Sequence, residues 1–117
     1  MKKALIIEDS RSIILSLIST LKQFISVECY FAVSAEGALE LLNEEPFDVI
    51  TLDGFLSAGH GRDILKQMSL EQMNKTIIYS SDDAFVKECK EMGLSAINKR
   101  ADIHEAMKQA LIEKNLI

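Results

Sequence analysis

The sequence predicts an α/β fold, a doubly wound five-stranded parallel sheet with five helices packed on its two faces. Three observations predict it. Five short apolar runs recur along the chain, each followed by a stretch with helical periodicity. The first and third runs, Lys-Ala-Leu-Ile-Ile and Phe-Asp-Val-Ile-Thr-Leu, are nearly continuous in apolar residues, as strands buried on both faces are. Residues capable of chemistry collect where the runs stop, and the carboxyl ends of parallel strands share one edge of a sheet. Strand–helix repeats of this kind are linked by right-handed crossovers.

In chain order, the first strand covers Lys3–Ile7 and ends at the adjacent carboxylates Glu8 and Asp9. Ser10 and Ser12 offer helix-starting side chains for a helix over 11–24. Ile13, Ile14, Leu17, Ile18 and Leu21 form its apolar stripe; Leu15 lies off the stripe, which points to a deeply buried helix, with a partner-docking patch as the alternative. Val27–Ala32 is the second strand, and Ser34 caps a helix over 35–43 that ends at Glu44-Glu45-Pro46. The third strand is Phe47–Leu52. It stops at Asp53, followed by a loop carrying Gly54, Gly59 and Gly61, so this loop bends sharply or approaches something closely.

The third helix is expected over 62–69, and Thr76–Ser80 is a fourth strand ending in the hydroxyls of Ser80 and Ser81. A fourth helix over 83–92 turns Phe85, Val86, Cys89 and Met92 inward and stops at Gly93; Asp82 and Asp83 cap it. Ser95–Asn98 is a short fifth strand ending in Lys99. Asp102 and Glu105 have capping-box spacing ahead of the last helix, which runs to about 114.

The chain has 117 residues, enough for one domain, 1–117, with a layered core. Hydrophobic residues make up 48% and charged residues 26%, which excludes a disordered chain. A net charge of -5 argues against direct contact with nucleic acid, because phosphate binding needs a basic face. Met-Lys-Lys leads into a strand rather than a signal peptide, and no apolar run is long enough to insert in a membrane. Cys29 and Cys89 lack metal-site spacing and read as reduced core thiols of a cytoplasmic protein.

Read together, the strand ends bring Glu8, Asp9, Asp53, Ser80, Ser81 and Lys99 to one edge. Three carboxylates held close repel one another, and a divalent cation relieves the repulsion. Magnesium suits carboxylate oxygens and leaves open positions for a phosphate. A carboxylate beside magnesium can attack a phosphoryl group, and a hydroxyl and an ammonium can bind the remaining phosphoryl oxygens.

The segments Ile-Ile-Glu-Asp-Ser, Asp-Val-Ile-Thr-Leu-Asp, Ile-Ile-Tyr-Ser-Ser and Asn-Lys, in this order, resemble the receiver domain of two-component response regulators over the whole chain. The resemblance implies a strand order of 2-1-3-4-5. It implies that Asp53 is the phosphoacceptor, that Glu8 and Asp9 hold magnesium with Asp53 and the main-chain carbonyl of Phe55, and that Ser80 is the switch hydroxyl, or Ser81 if the register slips by one. Lys99 would contact the phosphoryl group. The donor would be a histidine kinase or a histidine phosphotransfer protein. The readout, to a downstream protein partner, would be a changed surface around the fourth helix, fifth strand and fifth helix.

The chain also departs from the family pattern. Leu56-Ser57 stands where Met-Pro is usual, and His60-Gly61 where Asp-Gly is usual. Arg100 follows Lys99 in place of a cis proline, Ala96 occupies the aromatic switch position, and Tyr79 places an aromatic ring on a different strand. These departures define a second reading: a degenerate receiver that binds a protein partner without phosphorylation. His60 reads as a solvated loop residue, with a histidine titrating beside the carboxylate as the alternative. Asp82 lies close enough to the site to affect attacking water. A phosphohydrolase with an Asp nucleophile wants a second Asp two residues on, where Phe55 stands, so the expectation is no enzyme beyond self-phosphorylation and autodephosphorylation. A nucleotide-binding domain would need glycines where Glu8-Asp9 stand.

Overall fold

The computed structural model describes residues 1–117. The elements run β1 (Lys2–Ile7), α1 (Arg11–Phe24), β2 (Val27–Ala32), α2 (Ala35–Glu44), β3 (Val49–Leu52), α3 (Gly61–Gln67), α4 (Leu70–Asn74), β4 (Thr76–Ser80), α5 (Asp83–Glu91), β5 (Ser95–Asn98) and α6 (Ile103–Glu113). All strand pairs are parallel, in the order β2-β1-β3-β4-β5. The predicted sheet is therefore present, with six helices in place of the expected five.

The additional helix, α4, begins just beyond the expected span of the third, which itself ends two residues early at Gln67. Met68 turns extended and buries its side chain, and Ser69 starts the short helix α4. Ser69 accepts from the Gln72 N–H at 3.1 Å, and the Gln72 side chain accepts from the Ser69 N–H at 3.0 Å. This reciprocal capping box satisfies two amide groups that a helix start leaves unpaired.

Strand alternation sorts the core into two layers. Ala4, Ile6, Val49, Ile77, Tyr79 and Ile97 face α1 and α6, packing on Ile14, Leu17, Leu21, Met107 and Leu111. Leu5, Ile7, Ile50, Leu52 and Ile78 face the other way, onto Ala38, Leu42, Ile64, Leu65, Phe85 and Cys89 of α2, α3 and α5.

Four local expectations are corrected. The third strand starts at Val49 rather than Phe47. Asp48 is tied instead to β1, its carboxylate accepting from the Lys3 N–H at 2.8 Å, while Phe47 is buried edge-on to Tyr30. Leu15 is 56% exposed, so α1 is not buried all round; with Phe31 and Val33 it forms an apolar patch beside Asp9 and Arg11. Met92 is exposed, because α5 ends at Glu91 and the chain turns away through Gly93 at φ +84°. Ser10 occupies the N-cap position of α1 without a capping bond; its hydroxyl meets Ser12 instead, at 3.2 Å.

Ser34, Asp82 and Asp102 occupy the N-cap positions the sequence predicts. Ser34 accepts from the Gly37 N–H, and Asp82 from the Phe85 N–H at 2.8 Å. Asp102 accepts from the N–H groups of His104 and Glu105, but the expected capping box is not completed, because the Glu105 carboxylate accepts from Gln109 Nε2 at 3.3 Å instead. No helix is long and apolar enough to cross a membrane.

Candidate functional site

Three backbone bonds at the carboxyl edge of the sheet assemble the site. The Glu8 N–H donates to Ala32 O at 3.0 Å and the Asp53 N–H to Ile7 O at 3.0 Å, so both acids continue their ladders one step past the strands. The Lys99 N–H donates to Ser80 O at 2.9 Å and does the same between β5 and β4. The ladder register then sets the side chains. Glu8 follows Ile6, Asp53 follows Thr51 and Lys99 follows Ile97 at alternate positions, so all three point to the α1/α6 face.

Glu8 and Asp53 are buried and Asp9 is exposed, and their carboxylate oxygens lie within 4.8 Å of one another. Lys99 reaches into this group. Its Nζ lies 2.9 Å from Glu8 Oε1 and donates to Asp53 Oδ2 at 3.1 Å. The contact with Glu8 is close enough for an ion pair but poorly directed, and Oε1 has no hydrogen bond of good geometry. Glu8 Oε2 accepts from the Ser10 N–H at 3.2 Å.

Burial raises the Glu8 carboxyl above its ordinary range; Lys99 opposes this and the charge of Asp53 adds to it. For Lys99, burial pulls the other way, and the two carboxylates outweigh it, so the ammonium is held above its ordinary range. The asymmetry has a simple cause. Lys99 faces two anions, whereas Glu8 faces one cation and one anion. Three acids and one ammonium leave the group short of positive charge. That deficit, with the under-satisfied buried Glu8 Oε1, fits a hard divalent cation bound through oxygen.

The loop behind Asp53 is closed on itself. The Gly61 N–H donates to Gly54 O at 2.8 Å, and Phe55 bridges His60 across the loop. Asp9 holds the far side, its Oδ2 accepting from the Ser57 N–H at 2.8 Å. A Cβ on Gly61 would stand 2.4 Å from Asp53 O, and one on Gly54 would stand 2.5 Å from the Phe85 ring. The glycines are there for close approach, as the sequence predicts.

His60 is not a freely solvated residue. Its Nδ1 accepts from the Arg62 N–H at 3.2 Å and caps α3, and its half-buried ring stands 4.4 Å from that of Phe55. The Phe55 side chain is itself exposed. The predicted metal position at Phe55 is thus on the loop next to Asp53, whose Oδ1 takes a long bond of 3.4 Å from the Phe55 N–H.

Of the two candidate hydroxyls, Ser80 is buried and Ser81 exposed. The β4–β5 register pairs Ser80 with Asn98, and Ser80 Oγ accepts from the Asp82 N–H at 3.2 Å. Asp82 spends its own carboxylate on the α5 cap. Asp83, expected as a second cap, instead accepts from Asn98 Nδ2 and from the Arg100 guanidinium, while Arg100 Nη1 reaches Ser81 O at 3.5 Å. Arg100 therefore ties the loop after β5 to the loop after β4 directly beside Lys99. An Asp-to-Arg tie between two loops has no local sequence spacing to announce it. Tyr79, likewise unassigned by the sequence, places its ring 5.7 Å from Lys99 Nζ.

Comparison with known proteins places this fold in a family. Residues 4–111 match the family model described as the response regulator receiver domain. The fold is similar to that of the receiver domain of a Francisella response regulator, with TM-score 0.80, 22% identity, and coverage of 99% of this chain and 98% of that one. It is also similar to TrrA of Thermotoga maritima, solved in complex with Mg2+-BeF, with TM-score 0.82, 18% identity, and coverage of 97% and 99%. A CheY-like receiver domain from Methylobacillus flagellatus gives TM-score 0.81 at 20% identity, covering 97% and 98%. No curated protein matches the sequence significantly. The family match over residues 4–111 establishes that the chain belongs to the response regulator receiver domain family, whose members serve phosphorylation-based two-component signalling.

Proposed function

We propose that residues 1–117 act as a single cytoplasmic receiver that takes a phosphoryl group on Asp53 from a phosphohistidine. The observation that carries this reading is the placement of Lys99 between Glu8 and Asp53, at 2.9 and 3.1 Å. It sets an ammonium beside the nucleophile and leaves the acids short of positive charge. A carboxylate oxygen of Asp53 attacks phosphorus. The P–N bond to the donor imidazole breaks, and its electron pair leaves with the imidazole, which takes up a proton. Lys99 binds a phosphoryl oxygen, and the buried Ser80 hydroxyl turns from the Asp82 N–H toward another. Glu8, Asp9, Asp53 and the main-chain carbonyl of Phe55 would hold magnesium, which when bound offsets negative charge on the transferring group.

The donor class is a histidine kinase or a histidine phosphotransfer protein. Transfer shifts an equilibrium between two conformations, because a ligand acts only by stabilising one state over another. The loops after β4 and β5, which carry Ser80 and Lys99, are the parts through which a downstream protein partner would sense the change.

A second reading has its own observation. The acids are already partly satisfied within the chain, Asp9 by the Ser57 N–H and Glu8 and Asp53 by Lys99. A receiver settled in this state would bind its partner without phosphorylation. Intact mass after incubation with magnesium and acetyl phosphate separates the two. A gain of one phosphate that Asp53→Asn removes supports phosphorylation. No gain, with no magnesium binding by calorimetry, supports the second reading.

A further inference from the structure

We propose that Tyr79 is a positioning residue for Lys99, its ring serving as the platform that keeps the ammonium aimed at Asp53. The inference rests on the reading of Lys99 as the phosphoryl contact given above. Strand alternation places Tyr79 on the same face of the sheet as Glu8, Asp53 and Lys99, one step above Ile77. The register pairs Tyr79 with Ile97, two residues before Lys99, so the Lys99 side chain rises beside the ring. Its Nζ stands 5.7 Å from the ring centroid, within the range where a cation is attracted by an aromatic face. Both residues are largely dry: Tyr79 is 8% exposed and the Lys99 side chain 16%. Desolvation strengthens such a contact.

The remaining supports for Lys99 are its two carboxylates, and these have a competing task. When Glu8 and Asp53 turn to a divalent cation, their hold on the ammonium weakens. The Tyr79 ring carries no charge to be claimed and offers no strong ligand to a hard cation. It is therefore the partner that keeps Lys99 in place when the acids are engaged elsewhere. The phenol hydroxyl is not needed for this; the ring face is.

The test follows the lysine ε-methylene groups by NMR in uniformly folded protein, with Lys99→Ala identifying the Lys99 signal. In the wild type and in Tyr79→Phe that signal lies upfield of the other lysines from the ring current, with and without magnesium. In Tyr79→Leu, which retains apolar bulk, it joins the others. Labelling by acetyl phosphate then falls roughly two- to five-fold in Tyr79→Leu, stays near wild type in Tyr79→Phe, and falls no further when Tyr79→Leu is added to Lys99→Ala. A Lys99 signal unmoved in Tyr79→Leu overturns the proposal. So does a labelling defect of Tyr79→Leu that persists undiminished in the Lys99→Ala background, since it would then act on the fold. If Lys99→Ala labels like the wild type, the reading of Lys99 itself fails, while the chemical shift still reports whether Tyr79 holds it.

Discussion

The Lys99 ammonium stands 2.9 Å from Glu8 Oε1 and 3.1 Å from Asp53 Oδ2, closing one positive charge between two buried negative ones. Removing one member of a buried ion group leaves the others unpaired, at a cost of about 3 kcal/mol, less where water reaches in. Lys99→Ala should therefore melt at lower temperature than the wild type in EDTA. It should also gain more from magnesium, because the acids have lost their internal cation. At a hundredfold excess over Kd, ligand binding stabilises by about 2.7 kcal/mol. Thermal melts of both proteins across a magnesium titration check this; equal shifts in the two would contradict it.

Gly61 has no room for a side chain. Its added Cβ would lie 2.4 Å from Asp53 O and 2.8 Å from Gly54 Cα, both backbone atoms that cannot swing aside. Gly61→Ala should cost about 1–3 kcal/mol in denaturant unfolding, as overpacking does, and should displace Asp53 enough to lower phosphate labelling. Gly93→Ala is the contrasting case. Nothing crowds a Cβ there, but φ is +84°, so its cost is backbone strain alone and labelling should be unaffected.

These glycines show how unevenly the molecule can be read from its sequence. Strand–helix alternation and apolar periodicity are local, and they predicted every strand, five of the six helices and the shared edge of Glu8, Asp53, Ser80 and Lys99. The sixth helix had a visible signal, the Ser69-x-x-Gln72 spacing, set in a segment too polar to attract attention. Exposure of Leu15 was not legible, because helical spacing tells which residues share a face and not whether a leucine off the stripe is covered. The Arg100–Asp83 and Tyr79–Lys99 contacts join residues 17 and 20 positions apart on different strands or loops, and no periodicity encodes them.

The Arg100 tie is exposed at both ends, so its contribution to stability should be under about 1 kcal/mol. Its effect should appear in local motion. Asp83→Ala frees the loop after β5 from the loop after β4, and amide hydrogen exchange should rise at 81–84 and 99–101 while the sheet core is unchanged. Unchanged exchange in both loops would show that the tie restrains nothing.

Tyr30 provides a pH test away from the site. Its hydroxyl donates to Glu28, and that bond, with burial and the Glu28 charge adding, raises its pKa from 10.0 to about 12. A folded pKa above the unfolded one means the native state holds the proton more tightly. The resulting stability is fully present below pH 10 and is lost as pH rises toward 12. Tyrosinate absorbance should show Tyr30 titrating late, and Glu28→Gln should bring it back toward its ordinary range.

Cys89 is fully buried, and burial, with Glu88 nearby, pushes its thiol from 9.0 up to about 11. The thiolate is the reactive form. Cys89 should resist alkylation at neutral pH until the protein unfolds, whereas the half-buried Cys29 should react first. Peptide mass mapping after brief iodoacetamide treatment distinguishes them.

The most direct measurement is the position of the phosphate itself. After incubation with magnesium and acetyl phosphate, borohydride reduces an acyl phosphate to the alcohol, marking a phosphorylated Asp as homoserine. The arrangement of Asp53 beside Lys99, Glu8 and Asp9 predicts homoserine at position 53 alone, absent from Asp53→Asn. Homoserine at another acid, or a stable phosphate on Ser80 or Ser81, would contradict the assignment of Asp53 as the phosphoacceptor.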